Sequence, residues 1–375
     1  MSLPKPPVTL SQLAQILPEA TLVGDGNVNV RDLVHPMLVK SPDDLVLIID
    51  PAALAVLQAG VVQAAIVAEE IPVPENSLKG YIKVKRPRHA LAYLLNVFEK
   101  PVHRTPGIHP TAIIEKGAQV HPSVSLGAYC VVGENAAIDE GGVLMPHVTI
   151  GAEAKIGKNA LFHPGVRIGE RVMIGNGVII HHNASIGADG FSFVTPEKGS
   201  VEAAKSGSSK IDTSKNTDIV RINSIGTVIL EDHVEIGACA CIDRSTIGAT
   251  MIKRGTKIDN LVQIGHNNTV GENCLIVSQA GLAGSCKIGN RVVIAGQVGF
   301  ADHLSVGDDA VVMAKSGVMR DIDAGAVMGG IPAIPAKELM RNVSLIGKLG
   351  EMRKEMRDMK KRLEELEAQK ETARV

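Results

Sequence analysis

The residue of this chain best suited to acid–base chemistry is His266, which belongs to a cluster of polar residues between Ile258 and Asn268. Gly284 lies eighteen residues further on, and Asp302 and His303 follow after another such interval. Acyl transfer from a thioester needs a general base that takes the proton of the attacking amine or hydroxyl, and a backbone N–H that stabilises the oxyanion. A histidine beside a glycine supplies both groups. The alternative is a surface histidine that is merely hydrogen bonded.

A six-residue repeat positions these residues. A large apolar residue occupies every sixth position from Ile108 to Ile186, and the same register runs from Ile252 to Val318, often with Gly next in line. Neither the helical period nor strand alternation produces this pattern. It predicts coils of three short strands with one inward apolar side chain each, the hexapeptide parallel β-helix. Together with irregular turns around Ile225, the repeats predict roughly nine coils and a prism roughly 45 Å long.

Three repeats make an eighteen-residue coil, so residues eighteen apart form a column with a spacing of about 4.8 Å. The column places Gly284 about 4.8 Å from His266, and His303 about 10 Å away on the same wall. On spacing alone, this column fits either a site for acyl transfer on the wall of the prism or a hydrogen-bonded surface histidine.

Residues 1–100 lack the repeat and predict a small α/β domain. Thr9 and Gln12 predict a capping box at the start of a helix over Leu10–Leu17. Strands are predicted at Leu45–Ile49, Ala64–Ala68 and Tyr81–Val84. A second helix is predicted at His89–Phe98. A linker is predicted from Lys100 to Gly107.

The β-helix domain is predicted over residues 101–335, with an interruption at 188–224. A polar segment rich in Ser, Lys, Thr and Asp replaces the repeat there, which indicates an extruded loop. The loop carries Phe191 and Phe193. These side chains are interpreted either as a cover for a substrate or as anchors that pack on the prism.

Residues 336–375 predict a helical tail. Apolar residues alternate spacings of four and three, as in the seam of a coiled coil or helical hairpin: Leu345, Leu349, Met352, Met356, Met359, Leu363 and Leu366. Many Lys and Arg residues accompany this seam. They favour either an acidic partner or a solvated flank paired with the acidic residues of the same helix.

The composition argues against several classes of function. The net charge is −1, so no global field attracts DNA or a membrane surface. Three Tyr, five Phe and no Trp are too few for stacking on single-stranded nucleic acid. The chain starts without a signal-peptide pattern, and the apolar stretch from Leu45 to Val67 is interrupted by polar residues. We therefore expect a soluble cytoplasmic protein that is not an integral membrane protein.

The other histidines and the cysteines suggest structural roles. Several histidines occupy corner positions of the repeat, where a polar side chain caps a turn: His109, His121, His163 and His181. The five cysteines show neither CxxC nor zinc spacing, which predicts small buried thiols: Cys130, Cys239, Cys241, Cys274 and Cys286.

The chain resembles the left-handed β-helix acyltransferases and, among them, the UDP-3-O-(3-hydroxyacyl)glucosamine N-acyltransferases of lipid A biosynthesis. The resemblance covers nearly the whole chain. It rests on the α/β domain, the prism, the C-terminal helix and five motifs: Asp189-Gly-Phe191, the segment from Ile258 to Asn268, Asp302-His303, Val318-Met-Arg320 and Gly330-Ile-Pro332. It implies a mainly β fold with a left-handed coil.

The resemblance also implies roles for individual residues. His266 would be the general base, the N–H of Gly284 the oxyanion donor, and His303 a second active-site histidine. Residues that would line the substrate and pantetheine channel are Asp259, Asn260, Gln263, Asn267 and Arg320, and Phe191 and Asp50 complete the set of expected substrate contacts. The family forms homotrimers with sites between neighbouring prisms, takes its acyl group from acyl carrier protein, and needs neither metal nor cofactor. The basic tail would face the acidic carrier.

One segment departs from this resemblance. The family usually shows an aromatic-rich stretch that grips uracil, where this chain has only aliphatic residues, Asp50 and Pro51 between Leu47 and Ala53. The motif at Phe191 also continues Ser-Phe where the family more often has Gly and an aromatic residue.

Three other functions remain open on the sequence alone. A zinc carbonic anhydrase on the same prism needs three converging histidines, and His266 and His303 have no third partner at a suitable spacing. A non-catalytic hexapeptide-repeat binding module fits the altered N-terminal segment but leaves the column at His266 unexplained. An acyltransferase that acts on another UDP-amino sugar is a further alternative. The acyl chain length is not encoded in any recognisable motif.

Overall fold

The structure is a computed structural model that describes residues 4–58, 60–100, 106–197, 199, 218–329 and 333–372. The chain folds into two compact units, Met1–His103 and Arg104–Val375. Most of the predicted linker, most of the predicted loop and the Gly330-Ile-Pro332 motif lie outside the described residues.

The first unit is built on a five-stranded sheet with apolar cores on both faces. Its strand order is Ala20–Gly24, Gly80–Val84, Ala64–Ala68, Asp44–Ile48 and Asp32–Val34. The first pair is antiparallel and the others are parallel. Alternate residues of one strand serve opposite cores: Ile66 packs with Leu10 and Leu94, whereas Val67 packs with Leu57.

The predicted elements of this unit are confirmed to within two residues. The Thr9 hydroxyl accepts the N–H of Gln12 at 3.3 Å, and the Gln12 side chain accepts the N–H of Thr9 at 2.9 Å, which completes the capping box. The helices are Leu10–Ile16, Ala55–Gln58 and Pro87–Phe98, with 3-10 turns at Pro36–Leu38 and Pro51–Leu54. A two-stranded ladder pairs Val8–Thr9 with Asn29–Val30.

The second unit is a left-handed parallel β-helix, as predicted. We name its three sheets the first, second and third walls, in the order in which the chain enters them, and count their strands over the described residues. The first wall has eleven strands: Gly107–Ile108, Ser125–Leu126, Val143–Leu144, Leu161–Phe162, Ile179–Ile180, Glu235–Ile236, Lys257–Ile258, Leu275–Ile276, Val293–Ile294, Val311–Val312 and Val327–Met328. The second has ten: Ile113–Ile114, Val131–Val132, Thr149–Ile150, Arg167–Ile168, Ser185–Asp189, Cys241–Arg244, Gln263–Ile264, Gly281–Leu282, Gly299–Phe300 and Gly317–Val318. The third has nine: Gln119–Val120, Ala137–Ile138, Lys155–Ile156, Met173–Ile174, Thr227–Leu230, Ala249–Ile252, Thr269–Val270, Lys287–Ile288 and Ser305–Val306.

The strand register confirms the column geometry. Leu282 pairs with Ile264 on one side and with Phe300 on the other, each eighteen residues away. These inward side chains, together with smaller apolar residues four positions after each, form one continuous core. In the described residues the three walls contain about ten coils, against the roughly nine predicted. The strands between 227 and 252 pair at intervals of twenty-two residues, which the repeat does not reveal. Ile225 is exposed and does not belong to the core.

The cysteines follow the prediction only in part. Cys130, Cys274 and Cys286 are buried, but Cys241 is half-buried and Cys239 is exposed, so the prediction of a buried thiol is wrong for Cys239. Cys239 lies at a turn position with φ 55°, where the side chain projects away from the core.

The structure describes the two ends of the interruption at 188–224 and most of the C-terminal tail. Phe193–Val194 pairs antiparallel with Val220–Arg221, so the interruption begins and ends as a short hairpin. The tail is a single helix, Ala336–Thr372, as predicted, and its side chains are exposed from 336 to 367. Within the described ranges, no helix combines the length and apolar character needed to cross a bilayer.

Candidate active site

His266 lies at the edge of the prism where the second wall turns into the third. It follows the strand Gln263–Ile264, in a turn that ends with Asn268. Asn268 occupies an inward position of the repeat, where other coils have small apolar residues, and its side chain is fully buried.

Asn268 locks this turn to the next coil. Its Nδ2 donates to the carbonyl oxygens of Gly265 at 2.7 Å and Ala283 at 2.9 Å, and its Oδ1 accepts the N–H of Cys286 at 2.9 Å. Because a buried amide that loses a partner carries a desolvation cost, this satisfied network holds the two turns in one relative position.

The imidazole ring of His266 is packed between two glycines. A Cβ atom at Gly284 would lie 2.6 Å from Cε1 and 2.8 Å from Nε2 of His266, and a Cβ at Gly190 would lie 2.8 Å from its Cδ2. Any side chain at either position would displace the ring. The structure therefore brings His266 and Gly284 together, on adjacent coils.

The backbone N–H of Gly284 is a candidate hydrogen-bond donor to a ligand. Its neighbours Ala283 and Ser285 donate to the carbonyl oxygens of Phe300 and His266, at 3.3 and 2.9 Å. Within the described part of the chain, the N–H of Gly284 itself has no acceptor. The equivalent N–H of other turns is often capped by a side chain, as at Ser278, which donates to Asp259 at 3.0 Å.

Asn267 determines which nitrogen of His266 carries a proton. Its Nδ2 donates to the carbonyl oxygen of Ile247 at 3.1 Å, and its Oδ1 accepts the N–H of Thr246 at 3.0 Å, so the orientation of the amide is fixed. The same Oδ1 lies 3.0 Å from Nδ1 of His266. Because an amide oxygen is only an acceptor, Nδ1 must donate, and Nε2 keeps its lone pair as a general base requires.

A pocket of about 540 Å³ opens beside the ring of His266. Gln263 and Asp243 line it, and Nε2 of Gln263 donates to Oδ2 of Asp243 at 3.0 Å. Burial raises the pKa of the Asp243 carboxyl, although the hydrogen bond from Gln263 and the nearby His266 oppose this shift. A carboxyl that gains a proton more readily than usual thus lies next to the candidate base.

Two arginines form hydrogen bonds and ion pairs on the other side of the pocket. The buried Arg244 donates from Nε to the carbonyl oxygen of Gly187 at 2.7 Å and from Nη2 to Glu170 at 2.9 Å. Arg221 in turn binds Asp189 at 2.7 Å. The hydrogen bond and charge of Arg244 lower the pKa of Glu170.

The short hairpin contributes two aromatic rings to the pocket. Phe191 and Phe193 pack edge to face with centroids 4.9 Å apart, and Arg221 lies 6.0 Å from the ring of Phe193. Phe191 is 87% exposed, so its ring does not anchor the loop in the core. This exposure favours the interpretation of Phe191 as a surface that covers a ligand.

The chain is similar to known proteins along nearly its whole length. Residues 147–182 match the bacterial transferase hexapeptide family (six repeats). The chain is 44% identical to UDP-3-O-acylglucosamine N-acyltransferase of Desulfotalea psychrophila, covering 96% of this chain and 98% of that one. It is 43% identical to the enzyme of the same name from Syntrophus aciditrophicus, covering 96% and 93%. The chain belongs to the UDP-3-O-acylglucosamine N-acyltransferase family.

Members of the UDP-3-O-acylglucosamine N-acyltransferase family are acyltransferases, and this chain is therefore an enzyme of that class. Among solved structures, the crystal structure of Arabidopsis UDP-N-acetylglucosamine acyltransferase is similar, with 18% identity and a TM-score of 0.48, covering 63% of this chain and 77% of that one.

Not every residue expected for this acyltransferase family lies beside His266. Asp259 and Asn260 lie at a different edge, between the first and second walls, where they line a separate groove of about 520 Å³. Asn260 accepts the N–H of Ala238 at 2.6 Å, so it also links two coils. His303 and Arg320 are exposed on turns of the His266 edge, one and two coils beyond Gly284, and neither lines the His266 pocket.

Asp50 belongs to the first unit and lines a cavity of about 600 Å³ there. Its Oδ1 accepts the N–H of Ala52 at 2.8 Å and caps the 3-10 turn Pro51–Leu54, which leaves Oδ2 for a ligand. The other lining residues are mostly aliphatic: Leu33, Val34, His35, Pro36, Met37, Leu47, Ile49, Ala52, Ala53, Leu91 and Leu95.

Sequence reasoning missed Asp243, Arg244 and Asn268 in the candidate site. Asn268 carries a signal, because a polar residue stands at an inward position of an otherwise apolar column. Asp243 and Arg244 lie in the region where the spacing of eighteen fails, so no column arithmetic connects them with His266.

Proposed function

We propose that this protein transfers a 3-hydroxyacyl group from acyl carrier protein to the 2-amino group of a UDP-3-O-acylglucosamine, in lipid A biosynthesis. The observation that carries the proposal is the contact between the imidazole of His266, whose Nδ1 faces the Asn267 amide oxygen, and the turn at Gly284, whose N–H has no acceptor among the described residues. The relatives bear the name of this reaction.

The reaction follows from the geometry. The amine attacks the thioester carbonyl carbon, a C–N bond forms, and Nε2 of His266 takes a proton from the attacking nitrogen. The N–H of Gly284 stabilises the charge on the former carbonyl oxygen. When the C–S bond breaks, the imidazolium returns the proton to the leaving thiolate. No cofactor takes part, because the acyl group arrives on the phosphopantetheine of the carrier.

Asp243 and Gln263 support this chemistry from the side of the pocket. Their hydrogen bond of 3.0 Å holds a partly desolvated carboxyl near the imidazole. In our proposal, this carboxyl stabilises the imidazolium that forms when His266 has taken the proton, as an acid residue near a catalytic histidine commonly does.

A homotrimer belongs to the same proposal. Asp259 and Asn260 lie at one edge of the prism and His266 at another. A substrate that needs both sets of residues can meet them only if a neighbouring copy presents its edge, which supports active sites between prisms. His303 and Arg320 would then bind substrate parts that extend along the His266 edge.

The remaining parts of the substrates are assigned by chemistry. The basic C-terminal helix suits the acidic surface expected of an acyl carrier protein. The cavity at Asp50 would take part of the UDP-sugar mainly by apolar contact, since aliphatic side chains form most of its lining and His35 supplies the one aromatic ring among the lining residues that are described. All five cysteines are free thiols, which suits a reducing compartment, and we place the protein in the cytoplasm.

The test is turnover with a mixed pool of 3-hydroxyacyl carriers and UDP-3-O-acylglucosamine, with mass spectrometry of the product. We expect an N-acylated product from the wild type. His266→Ala should reduce kcat roughly 10²–10⁴-fold while the oligomer stays intact. Activity of His266→Ala within threefold of wild type would exclude the assigned base.

The same assay separates the alternatives. Product only with a different UDP-amino sugar would keep the mechanism and change the acceptor. Ligand binding without any turnover would instead indicate a binding module.

A further inference from the structure

Three histidines converge at the edge between the first and second walls, away from the edge that carries His266. His163 lies on one coil, and His181 and His182 lie on the next. One ring nitrogen from each lies within 4.8 Å of the others. His163 and His181 are half-buried, and His182 is exposed.

The arrangement follows from the column geometry. His163 and His181 are eighteen residues apart, and each directly follows an inward apolar residue, so they stack with ring centroids 4.8 Å apart and an interplanar angle of 15°. His182 adds a third ring, whose centroid also lies 4.8 Å from that of His163. Other corner histidines cap their own turns instead: Nδ1 of His121 lies 2.8 Å from the hydroxyl of Ser123.

We propose that His163, His181 and His182 form a binding site for a divalent transition metal ion such as Zn²⁺. Three imidazoles are a common ligand set for zinc. Zinc–nitrogen bonds of about 2.0–2.1 Å in a tetrahedron require nitrogens about 3.3 Å apart. The ring nitrogens lie within 4.8 Å of one another, and rotation of the exposed His182 ring can shorten these distances to the value that zinc requires. The inference does not depend on the proposed acyl transfer.

A carboxylate next to the cluster favours a cation. Oε1 of Glu235 lies 3.0 Å from Nε2 of His181, and its Oε2 lies 3.6 Å from Nζ of Lys257. Metal-bound histidines usually donate their second ring N–H to a carboxylate, which orients the ring. Glu235 can serve His181 in this way, and Nδ1 of His181 then remains for the metal. An anion at this position would instead meet the charge of Glu235.

The site would link two coils and face a groove. His163 and the other two histidines belong to adjacent coils, so a bound ion would stabilise the folded state alone. His181 and Glu235 also line the groove of about 520 Å³ that contains Asp259. The fourth coordination position of a three-histidine ion would be open to water or to a ligand in this groove.

The experiment uses the full-length chain without an affinity tag and with ZnCl₂ or CoCl₂ as the probe. We expect one ion per chain by calorimetry, the visible absorption bands of tetrahedral Co²⁺, and a higher Tm in the presence of Zn²⁺. His182→Ala should bind at least about tenfold more weakly, and Glu235→Gln about 10–100-fold more weakly, as for other partners of metal-bound histidines.

His109→Ala is the matched control, because His109 follows a strand of the same wall as His163 and its Nδ1 contacts the hydroxyl of Thr111 at 2.9 Å; it should bind as the wild type does. Equal binding by His182→Ala and wild type would overturn the proposal, as would a Co²⁺ spectrum of six-coordinate, solvated ion. A circular dichroism spectrum of His182→Ala identical to that of wild type would show that any loss of binding is not a loss of fold.

Discussion

The ring of His266 lies so close to the backbone of Gly284 that a methyl group there would contact Cε1 at 2.6 Å. Gly284→Ala must therefore displace the imidazole or open the turn. We expect kcat to fall roughly 10²-fold, since a misplacement of about 1 Å can cost that much. Steady-state kinetics with the acyl carrier substrate would measure the effect.

Gly281 supplies the control for this substitution. It lies on the strand just before Gly284, and a Cβ at Gly281 would meet nothing within 4 Å. Gly281→Ala should leave kcat unchanged. If both variants lost activity equally, contact with the imidazole would not be the cause.

Asn267 offers a second test, directed at the tautomer of His266. Its φ of 62° is easily adopted by glycine, so Asn267→Gly removes the side chain without straining the turn. Without the amide oxygen, Nδ1–H of His266 loses its acceptor and both tautomers become populated. We expect kcat to fall roughly tenfold or more, with a smaller change in KM. An unchanged kcat would show that Asn267 does not orient the base.

Asp243→Asn tests the desolvated carboxyl through the pH dependence of stability. Burial raises the pKa of Asp243, so the folded state holds the proton more tightly than the unfolded state does. The cost of ionising Asp243 therefore appears as the pH rises from the ordinary value of 3.8 through the folded-state pKa. At pH 7, Asp243→Asn should melt at a higher temperature than wild type, whereas below pH 3.8 the two should melt alike.

Asp243→Asn should lower the activity of the enzyme although it raises the stability at pH 7. The amide cannot stabilise an imidazolium, so Asp243→Asn should lower kcat about tenfold or more. A variant that is both more stable at pH 7 and fully active would show that the carboxyl has no part in the reaction.

The helix Ala336–Thr372 is predicted to act in recognition of the donor. Changing Arg353, Arg357 and Lys360 to Glu should raise KM for acyl carrier protein several-fold and flatten its dependence on salt, because exposed charges act through screened long-range attraction. Kinetics between low and high ionic strength would measure this. An unchanged KM together with a dissociated oligomer would assign the helix to assembly instead.

The repeat explains why the fold and part of the site could be predicted. An apolar residue at every sixth position leaves one way to bury them all, and the resulting column puts Gly284 against His266 without any three-dimensional information. The prediction fails where the interval changes. Ile242 pairs with Ile264 across twenty-two residues and with Ile186 across fifty-six, so Asp243 and the Gly190 contact were out of reach.

The histidine cluster was missed for a different reason. His163 and His181 are separated by one full coil, and the column arithmetic that connected His266 with Gly284 applies to them equally. Each was interpreted alone as a cap of its own turn, which is correct for His121 but not for His181, whose Nε2 contacts Glu235 on the next coil. Glu235 lies beside His181 because its strand pairs with Ile179–Ile180, fifty-six residues earlier, an interval that the repeat does not predict.

One coil of the β-helix closes only after fifty-six residues, and this long interval affects the order in which the coils fold. Coils elsewhere close loops of about eighteen residues, but Ile174, Ile180 and Ile186 reach their partners only after the hairpin segment. Closing the longer loop costs about 1 kcal/mol more in chain entropy. Coils on either side can form first and meet last, at a seam between them. Gly190 and Asp243 flank that seam, so we predict that the pocket at His266 is completed in the final docking step and that slow local opening concentrates there in hydrogen exchange.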